Sequence, residues 1–294
     1  MNESVRRRPP GPGFAIACHA FLEVRLSEIG ALRDRPAPPG GPSLPPRFLR
    51  HADEHTVVGV HAVLAALASH PSPPPIDHHG IVAAPCQAGR IVGAKTLAAF
   101  IQGGGVTVSP HVVPQCSLHS VAGAVSVALG MHGPHAGVGG GPEALGEGFI
   151  AAASLLAGRG DPDCTGVWLV ATEWDEEPRL DAGGTPLGDP VCRGLALLLE
   201  PAAVPDDGRS LVPPIACDIR ITTPAPGFGA TVASSGLLAL ARALAICGEG
   251  VALASWSVAC PGGGEARVSG RPPSILRRAA DPGGTPKPRV RGAA

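Results

Sequence analysis

The chain has 294 residues, enough for one large domain or two small ones, and its net charge at neutral pH is −1. It contains three Trp, six Phe and no Tyr, so few side chains can stack on nucleic-acid bases, and the core must be built from small aliphatic residues that allow close packing. No apolar run reaches the roughly 20 residues of a membrane-spanning helix, and no membrane span is predicted.

Positive charge is concentrated at the two ends of the chain. Residues 1–12 carry three arginines against one glutamate, and residues 271–294 carry five arginines and one lysine against one aspartate. The segment between them therefore carries about −8, which argues against nucleic-acid binding by the body of the protein. We predict one folded domain at residues 13–270, flanked by a disordered basic N-terminus and a disordered basic, Pro- and Gly-rich tail.

The eight cysteines are spread along the chain without a C-x-x-C pair. This distribution indicates buried free thiols in a reducing compartment rather than a disulfide framework or a zinc site. Arg6–Arg8 and the apolar Phe14–Leu22 superficially resemble a signal peptide, but Pro and Gly separate them and no clear cleavage site follows. The sequence therefore predicts a cytoplasmic protein whose first core strand is Phe14–Ala20.

Apolar runs and helical periodicity predict the next elements, which are helix Arg47–Leu67, strand Gly80–Ala84 and helix Gly93–Gln102. Within the first of these helices, His51 and His55 would lie one helical turn apart. The triplet Asp77-His78-His79 follows a proline-rich loop. Neither group has a third ligand at a spacing typical of zinc sites, and we predict no metal site.

The stretch Val108–Leu156 contains two helical segments around a short strand and three glycines. Small and apolar residues recur at three- and four-residue steps through Gln115–Leu129, which predicts a helix with one buried face. A Gly-Pro pair ends this helix, and His135–Val138 is predicted as a short strand. Gly139–Gly141 allow positive φ, and Pro142 suits the first position of the next helix.

A strand that turns sharply into a buried helix is where many enzymes hold a nucleophile. The backbone N–H groups at such a turn stabilise an anion and lower the pKa of a thiol. Pro142 provides neither a nucleophile nor an N–H group. The scaffold of a catalytic site is therefore predicted here without its reactive group.

Strongly apolar runs further along the chain predict strands at Gly166–Thr172, Leu195–Leu199 and Ile215–Ile221. The acidic segment Glu173–Glu177 follows the first of them, and we interpret it as a solvated turn rather than an acid–base site. A helix is predicted within Gly227–Ala245. Parallel strands with continuous apolar runs require helices on both faces of their sheet, and this is the architecture we expect.

The run Val113–His135 (VPQCSLHSVAGAVSVALGMHGPH) resembles the segment before the active site of β-ketoacyl synthases of fatty-acid and polyketide synthesis. It matches the family spacing V-P-S-x-x-x-N-x-x-A-G-x-x-x-x-x-x-G-x-x-G-P without a gap. Gln115 replaces the family's Ser, and His119 replaces its Asn. The matching positions are Pro114, Ala122, Gly123, Gly130, Gly133 and Pro134. Counting onward from the Gly-Pro pair, Pro142 occupies the position of the family's reactive cysteine.

The C-terminal part resembles the same family more loosely. Gly227–Ala245 is similar to its G-H-T-L-G-A-A-G helix entry and places Ala230 at a catalytic histidine, and the H-G-T-G-T motif of the other histidine is absent. Val251–Val258 and Gly262–Val268 resemble its closing hairpin. The resemblance implies an α/β, thiolase-like layered fold with a nearly complete N-terminal half and a truncated C-terminal half. It identifies a short form that lacks the catalytic cysteine and histidines.

Decarboxylative condensation needs a thiolate and two imidazoles, which Pro142 and Ala230 cannot supply. The resemblance therefore implies a catalytically degenerate homologue without a cofactor. It would act as a chain-length-factor-like partner of an active synthase, in a homo- or heterodimer whose interface includes Gln115–Leu129. An acyl carrier protein is a further candidate partner. The alternative is an acyl-thioester hydrolase or acyltransferase that uses a serine, or Cys116 with His119 on one face of the predicted helix.

Overall fold

The structure, a computed structural model, describes residues 14–36, 38, 42–70, 75–159, 163–201, 220–222, 236–248, 256–260 and 264–268. The two basic ends lie outside these ranges. The first elements are β1 (Phe14–Arg25), α1 (Ile29–Arg33), α2 (Glu54–Ser69), β2 (His79–Pro85), α3 (Arg90–Gly103), α4 (Val112–Gln115), α5 (Ser120–Leu129), β3 (His135–Gly137), α6 (Ala144–Ser154) and β4 (Gly166–Trp174). They are followed by β5 (Arg179–Leu180), β6 (Pro186–Leu187), β7 (Val191–Pro201), β8 (Arg220–Thr222), α7 (Leu237–Gly248), β9 (Trp256–Cys260) and β10 (Gly264–Val268).

Five strands form the central sheet, in the order β1-β7-β4-β2-β3. Strands β4, β2 and β3 are parallel to one another, whereas β7 is antiparallel to both β4 and β1. The prediction of parallel strands is therefore wrong for β7, whereas β1 runs in the same direction as β4, β2 and β3. The reason lies in the connection from β4 to β7, which forms the small β5-β6 hairpin instead of the crossover helix that a parallel pair requires.

Helices cover both faces of the central sheet, as predicted. Helices α2 and α5 pack on one face, and α6 and α7 pack on the other together with β9 and β10. Glycines allow these layers to approach closely: a Cβ added at Gly59 of α2 would lie 2.7 Å from Val121 Cγ1, and one at Gly148 of α6 would lie 2.7 Å from Leu169 Cδ1. The small aliphatic side chains of the core are therefore closely packed, because the helices lie close to the sheet and to each other.

Two predicted helices have different bounds in the structure. Helix α2 begins at Glu54 and not at Arg47, because the Asp53 carboxylate accepts a hydrogen bond from the Thr56 N–H at 2.8 Å and caps the helix there. The predicted helix Gln115–Leu129 is interrupted, since α4 ends at Gln115 and α5 begins only at Ser120. The Ser120 hydroxyl donates to the Pro114 carbonyl at 2.7 Å and satisfies a backbone acceptor at this break.

The C-terminal part contains a second sheet. Strands β8, β10 and β9 form a three-stranded antiparallel sheet, and β9 and β10 form the predicted hairpin. The first residues of the predicted helix Gly227–Ala245, including Ala230, lie outside the described residues, and α7 occupies its later part. Among the described helices, none combines the length and the apolarity that crossing a membrane requires.

Candidate functional site

The turn from β3 into α6 is built on glycine backbone conformations. Gly139 and Gly140 have φ angles of 94° and 95°, in the region that favours glycine. A Cβ at Gly139 would lie 2.6 Å from the Cβ of Ala144 in the first turn of α6. The Gly140 N–H donates to the Pro85 carbonyl at 2.9 Å, so the turn is fixed to the end of β2. Gly139 and Gly140 therefore have the positive φ angles that the sequence allows, whereas Gly141 does not.

Pro142 lies on the outside of this turn. Helix α6 begins at Ala144 with Glu143 as its N-cap, so Pro142 precedes the cap and is not the first helical residue as predicted. The difference follows from the Ala144 N–H, which donates to the Gly141 carbonyl at 3.1 Å in a turn before the helix begins. Pro142 is exposed. The position that resembles the synthase nucleophile thus carries a solvent-facing ring without a reactive atom.

The carboxyl ends of β2, β3 and β4 meet at one edge of the sheet, which is where α/β proteins bind their ligands. The Cys86 N–H donates to the Thr172 carbonyl at 2.7 Å, and the Gln87 N–H donates to the Gly140 carbonyl at 3.3 Å. Gln87 has a φ of 62°, which is uncommon for a residue with a side chain. This edge therefore combines the unusual backbone conformation of Gln87 with the turn from β3 into α6 (Gly139–Glu143), which we call the elbow.

A buried histidine supports the same edge from helix α2. His55 is 1% exposed, and its Nδ1 atom lies 2.8 Å from the Thr172 hydroxyl oxygen. Its ring stands edge-on to Trp174 with the ring centres 5.7 Å apart. Burial lowers the pKa of His55, although the Asp53 carboxylate opposes this effect. Neutral His55 is thus part of the core, and it is not paired with His51, which lies exposed in a turn before the helix.

Two half-buried cysteines lie near this edge of the sheet. Burial raises the pKa of Cys86, and the carboxylates of Glu173 and Glu177 add to this effect. Burial and the Asp53 and Glu54 carboxylates raise the pKa of Cys116 to about 11. Since the thiolate is the nucleophilic form, both thiols are poorly activated at neutral pH.

The alternative hypothesis places Cys116 and His119 on one helix face, but neither residue lies in a helix. Both residues lie in the turn between α4 and α5, where i,i+3 spacing does not fix a common face. The Cβ of Cys116 lies against Gly89, where an added Cβ would come within 2.7 Å of it. The His119 ring instead packs against the His135 ring, with the ring centres 5.0 Å apart. Sequence spacing could not reveal this histidine pair, because strand β3 brings His135 to the turn.

An open groove of about 580 Å³ runs beside the elbow. Its walls include Gln87, Gly89, Leu118 and Gly140, and the Arg90 guanidinium faces the Glu177 carboxylate with an Nε–Oε1 distance of 3.3 Å. The groove therefore joins the loop after β2, the turn before α5 and the elbow. Its lining combines apolar side chains with a surface ion pair.

The acidic segment Glu173–Glu177 begins within β4, so it is only partly the solvated turn that the sequence predicts. Burial raises the pKa of Glu173, against the effects of the Arg193 guanidinium and of a hydrogen bond from the Leu237 backbone. Glu173 thus contacts the first turn of α7 and the neighbouring strand β7. Its structural role was not evident from sequence because both partners are distant along the chain.

The side chains of the triplet Asp77-His78-His79 do not form a common site. The Asp77 carboxylate and the His78 imidazole lie 3.4 Å apart at the surface, whereas His79 is buried and burial lowers its pKa. Within the described part of the chain, no group of three or more His, Cys, Asp or Glu side chains is arranged to hold a metal ion.

Comparison with known proteins gives matches among solved structures. No protein-family model matches the chain, and no curated protein matches it. The complex of the ketosynthase ApeO with its chain length factor ApeC from Xenorhabdus doucetiae is similar over 87% of this chain and 99% of that chain, with a TM-score of 0.51 and 15% identity. At this level of identity the similarity concerns the fold.

Two other synthase structures match smaller parts. A β-ketoacyl synthase from Burkholderia phymatum STM815 is similar over 65% of this chain and 59% of that chain, with a TM-score of 0.44 and 15% identity. The AntDE:AntF complex, a type II polyketide-synthase acyl-carrier protein with its ketosynthase, is similar over 65% and 63%, with a TM-score of 0.47 and 15% identity. The chain spans about three fifths of these two structures. Its central sheet, its two helical layers and the comparison with the X. doucetiae complex show that the chain has the thiolase-like α/β fold of ketosynthases and chain length factors.

Proposed function

We propose that the chain is a non-catalytic, chain-length-factor-like subunit that pairs with an active β-ketoacyl synthase in fatty-acid or polyketide-type biosynthesis. The observation that carries this proposal is the exposed Pro142 at the elbow, at the position that resembles the synthase cysteine. Condensation proceeds through a covalent acyl thioester, and a proline ring cannot form one. A subunit that has kept the fold without this group can still shape a partner's site.

The state of the neighbouring thiols supports the same proposal. The pKa values of Cys86 and Cys116 are both raised. Neither residue is therefore an activated thiol that could take the place of the synthase cysteine. Cys18, Cys86, Cys116 and Cys192 are free thiols. Free thiols of this kind suit a protein of the cytoplasm.

Exposed apolar side chains offer a surface for the partner subunit. Helix α3 presents Leu97, Phe100 and Ile101, and the segment after it presents Val106 and Val113, each at least half exposed. Strand β3, at the edge of the central sheet, has no neighbour on its outer side among the described strands. Apolar patches and open strand edges are typical of surfaces that bind another chain. The similar X. doucetiae complex pairs a ketosynthase with its chain length factor.

Association with a synthase subunit tests this proposal. We expect the chain to co-purify with an intact β-ketoacyl synthase subunit co-expressed from the same genome, and Ile101→Asp to abolish the association. Leu187→Asp serves as the matched control, since Leu187 is similarly exposed but lies on the β5-β6 hairpin. Equal association of both variants, or no association of the unchanged protein, would refute the proposed pairing.

A second candidate function is supported by the groove beside the elbow. Gly89 lines this groove, and Cys116 packs directly behind Gly89. An acyl-thioester hydrolase or acyltransferase would use a thiol at such a place to form a covalent acyl intermediate. An acyl-thioester analogue that labels the unchanged chain stoichiometrically, and fails to label Cys116→Ser, would favour this enzyme over the non-catalytic subunit.

A further inference from the structure

His119 and His135 form a pair of adjacent imidazoles on the surface of the protein. His119 ends the turn before α5, and His135 is the first residue of β3. Both residues are exposed, and their ring centres are 5.0 Å apart with an interplanar angle of 37°. We propose that this pair is a bidentate binding site for a borderline divalent transition-metal ion such as Zn²⁺, Co²⁺ or Ni²⁺. The inference does not depend on the proposed function.

The distance between the rings fits two ligands on one ion. With metal–nitrogen bonds of about 2.0–2.1 Å, two imidazoles on one tetrahedral ion have ring centres roughly 5 Å apart. The observed separation of 5.0 Å agrees with this value. The rings are inclined to each other by 37°, and rotation about the side-chain torsions of these two exposed residues can direct one nitrogen of each ring toward a common ion.

The backbone around the pair holds the two residues together. A Cβ at Gly137 would collide with the backbone of Leu118 and His119, so strand β3 passes directly against the turn that carries His119. Only glycine permits this close approach. The two imidazoles are thus brought together by a packed contact between β3 and the α4–α5 turn.

A glycine also leaves room beside His119. A Cβ added at Gly123, one helical turn later, would lie 3.7 Å from Cδ2 and 3.9 Å from Nε2 of the His119 ring. The Nε2 edge of the ring therefore faces a residue without a side chain. A bound ion and its water ligands can occupy space that a larger residue would fill.

The chemistry of the two side chains selects the kind of ion. The neutral imidazole is the form that coordinates metals, and imidazole suits zinc, nickel and cobalt better than magnesium or calcium. With two protein ligands, the remaining positions are filled by water, which makes the ion exchangeable.

Titration of the full chain with Co²⁺ tests the proposal. We expect one Co²⁺ per chain, with visible absorption but without the near-ultraviolet charge-transfer band of a thiolate ligand, and displacement by Zn²⁺. His119→Gln and His135→Gln should each abolish this binding, and the double variant should be no weaker than either single one, because a chelate needs both ligands. His111→Gln is the control, since His111 is another exposed histidine of the same region.

The outcomes are distinct. Unchanged circular dichroism and thermal unfolding of the variants in the absence of metal would show that loss of binding is not loss of fold. The proposal is overturned if either single histidine variant binds Co²⁺ as the unchanged chain does, or if His111→Gln loses binding equally. A thiolate charge-transfer band would likewise overturn it, because the ion would then be held by cysteine.

Discussion

The Nδ1 atom of His55 and the hydroxyl oxygen of Thr172 lie 2.8 Å apart in the core, where they join helix α2 to the end of strand β4. Neither residue is near the other in sequence, and both are almost completely buried. This hydrogen bond fixes the carboxyl end of β4. The loop after β2 and the elbow of the candidate site lie beside that end. The edge of the sheet is thus supported by a polar contact inside an aliphatic core.

We expect Thr172→Val to lower the free energy of unfolding by about 1–3 kcal/mol, because it keeps the volume but leaves a buried imidazole nitrogen without its partner. Urea denaturation followed by circular dichroism measures the change. Thr185→Val, at an exposed position of the β5-β6 hairpin, is the matched control and should have little effect. Equal stabilities of the two variants would show that the His55–Thr172 hydrogen bond is dispensable.

Burial holds the pKa of His55 below its ordinary value of 6.5 in the folded protein. The unfolded state therefore binds the proton more tightly, and the contribution of His55 to stability, present above its unfolded pKa, is lost as the pH falls below about 6.5. We expect His55→Gln to flatten the pH dependence of the unfolding free energy by up to about 1.4 kcal/mol per pH unit in this range.

The difference in unfolding free energy between the unchanged protein and His55→Gln isolates the contribution of His55. Carboxylates with raised pKa values, such as Glu54 and Glu173, act in the opposite direction but are present in both proteins. Urea denaturation from about pH 7.5 to about pH 5.5 supplies the comparison across the titration of histidine. Parallel curves for the unchanged protein and His55→Gln would contradict the assignment of a neutral buried imidazole.

The elbow should tolerate a methyl group at one glycine and reject it at another. Gly139→Ala places a Cβ 2.6 Å from the Ala144 Cβ at a φ of 94°, so we expect a loss of about 1–3 kcal/mol in unfolding free energy. A Cβ at Gly141 meets nothing within 4 Å, and Gly141→Ala should be nearly neutral. Thermal unfolding of the two variants tests this. A reversed order would mean that the turn has another backbone conformation.

Cys116 should be a slow nucleophile. With a pKa of about 11, its thiolate population at neutral pH is small, and we expect its alkylation by iodoacetamide to be roughly a hundredfold slower than that of a free cysteine. Glu54→Gln removes one of the charges responsible and should accelerate the reaction. Peptide mass spectrometry measures the modification at Cys116. A rate equal to that of a model cysteine peptide would instead favour the acyl-transferring alternative.

Much of the framework is predictable from the sequence, because it depends on local patterns. The apolar runs of β2, β4 and β7 locate three neighbouring strands, and Gly139–Gly141 locate the elbow by the backbone conformations that glycine allows. The run Val113–His135 similarly indicates the thiolase-like fold, which the similarity to the X. doucetiae complex confirms. These features need no knowledge of distant contacts.

The remaining features depend on contacts between distant residues. The apolar period continues across Cys116–His119, so it does not reveal the break that the Ser120 hydroxyl stabilises. The antiparallel direction of β7 follows from a hairpin whose two-residue strands give a weak pattern. The burial of His55 and the contact of His119 with His135 arise only when α2 and β3 take their places beside the sheet.

We infer that this chain has the framework of a condensing enzyme without its nucleophile. This is tested by intact-mass spectrometry of the purified chain after incubation with an acyl-thioester substrate and a malonyl thioester, with product analysis, alone and with an intact synthase subunit. We expect no acyl adduct and no extended product from the chain alone, and acylation confined to the synthase in the mixture. A covalent acyl adduct on this chain, or condensation by the chain alone, would contradict it.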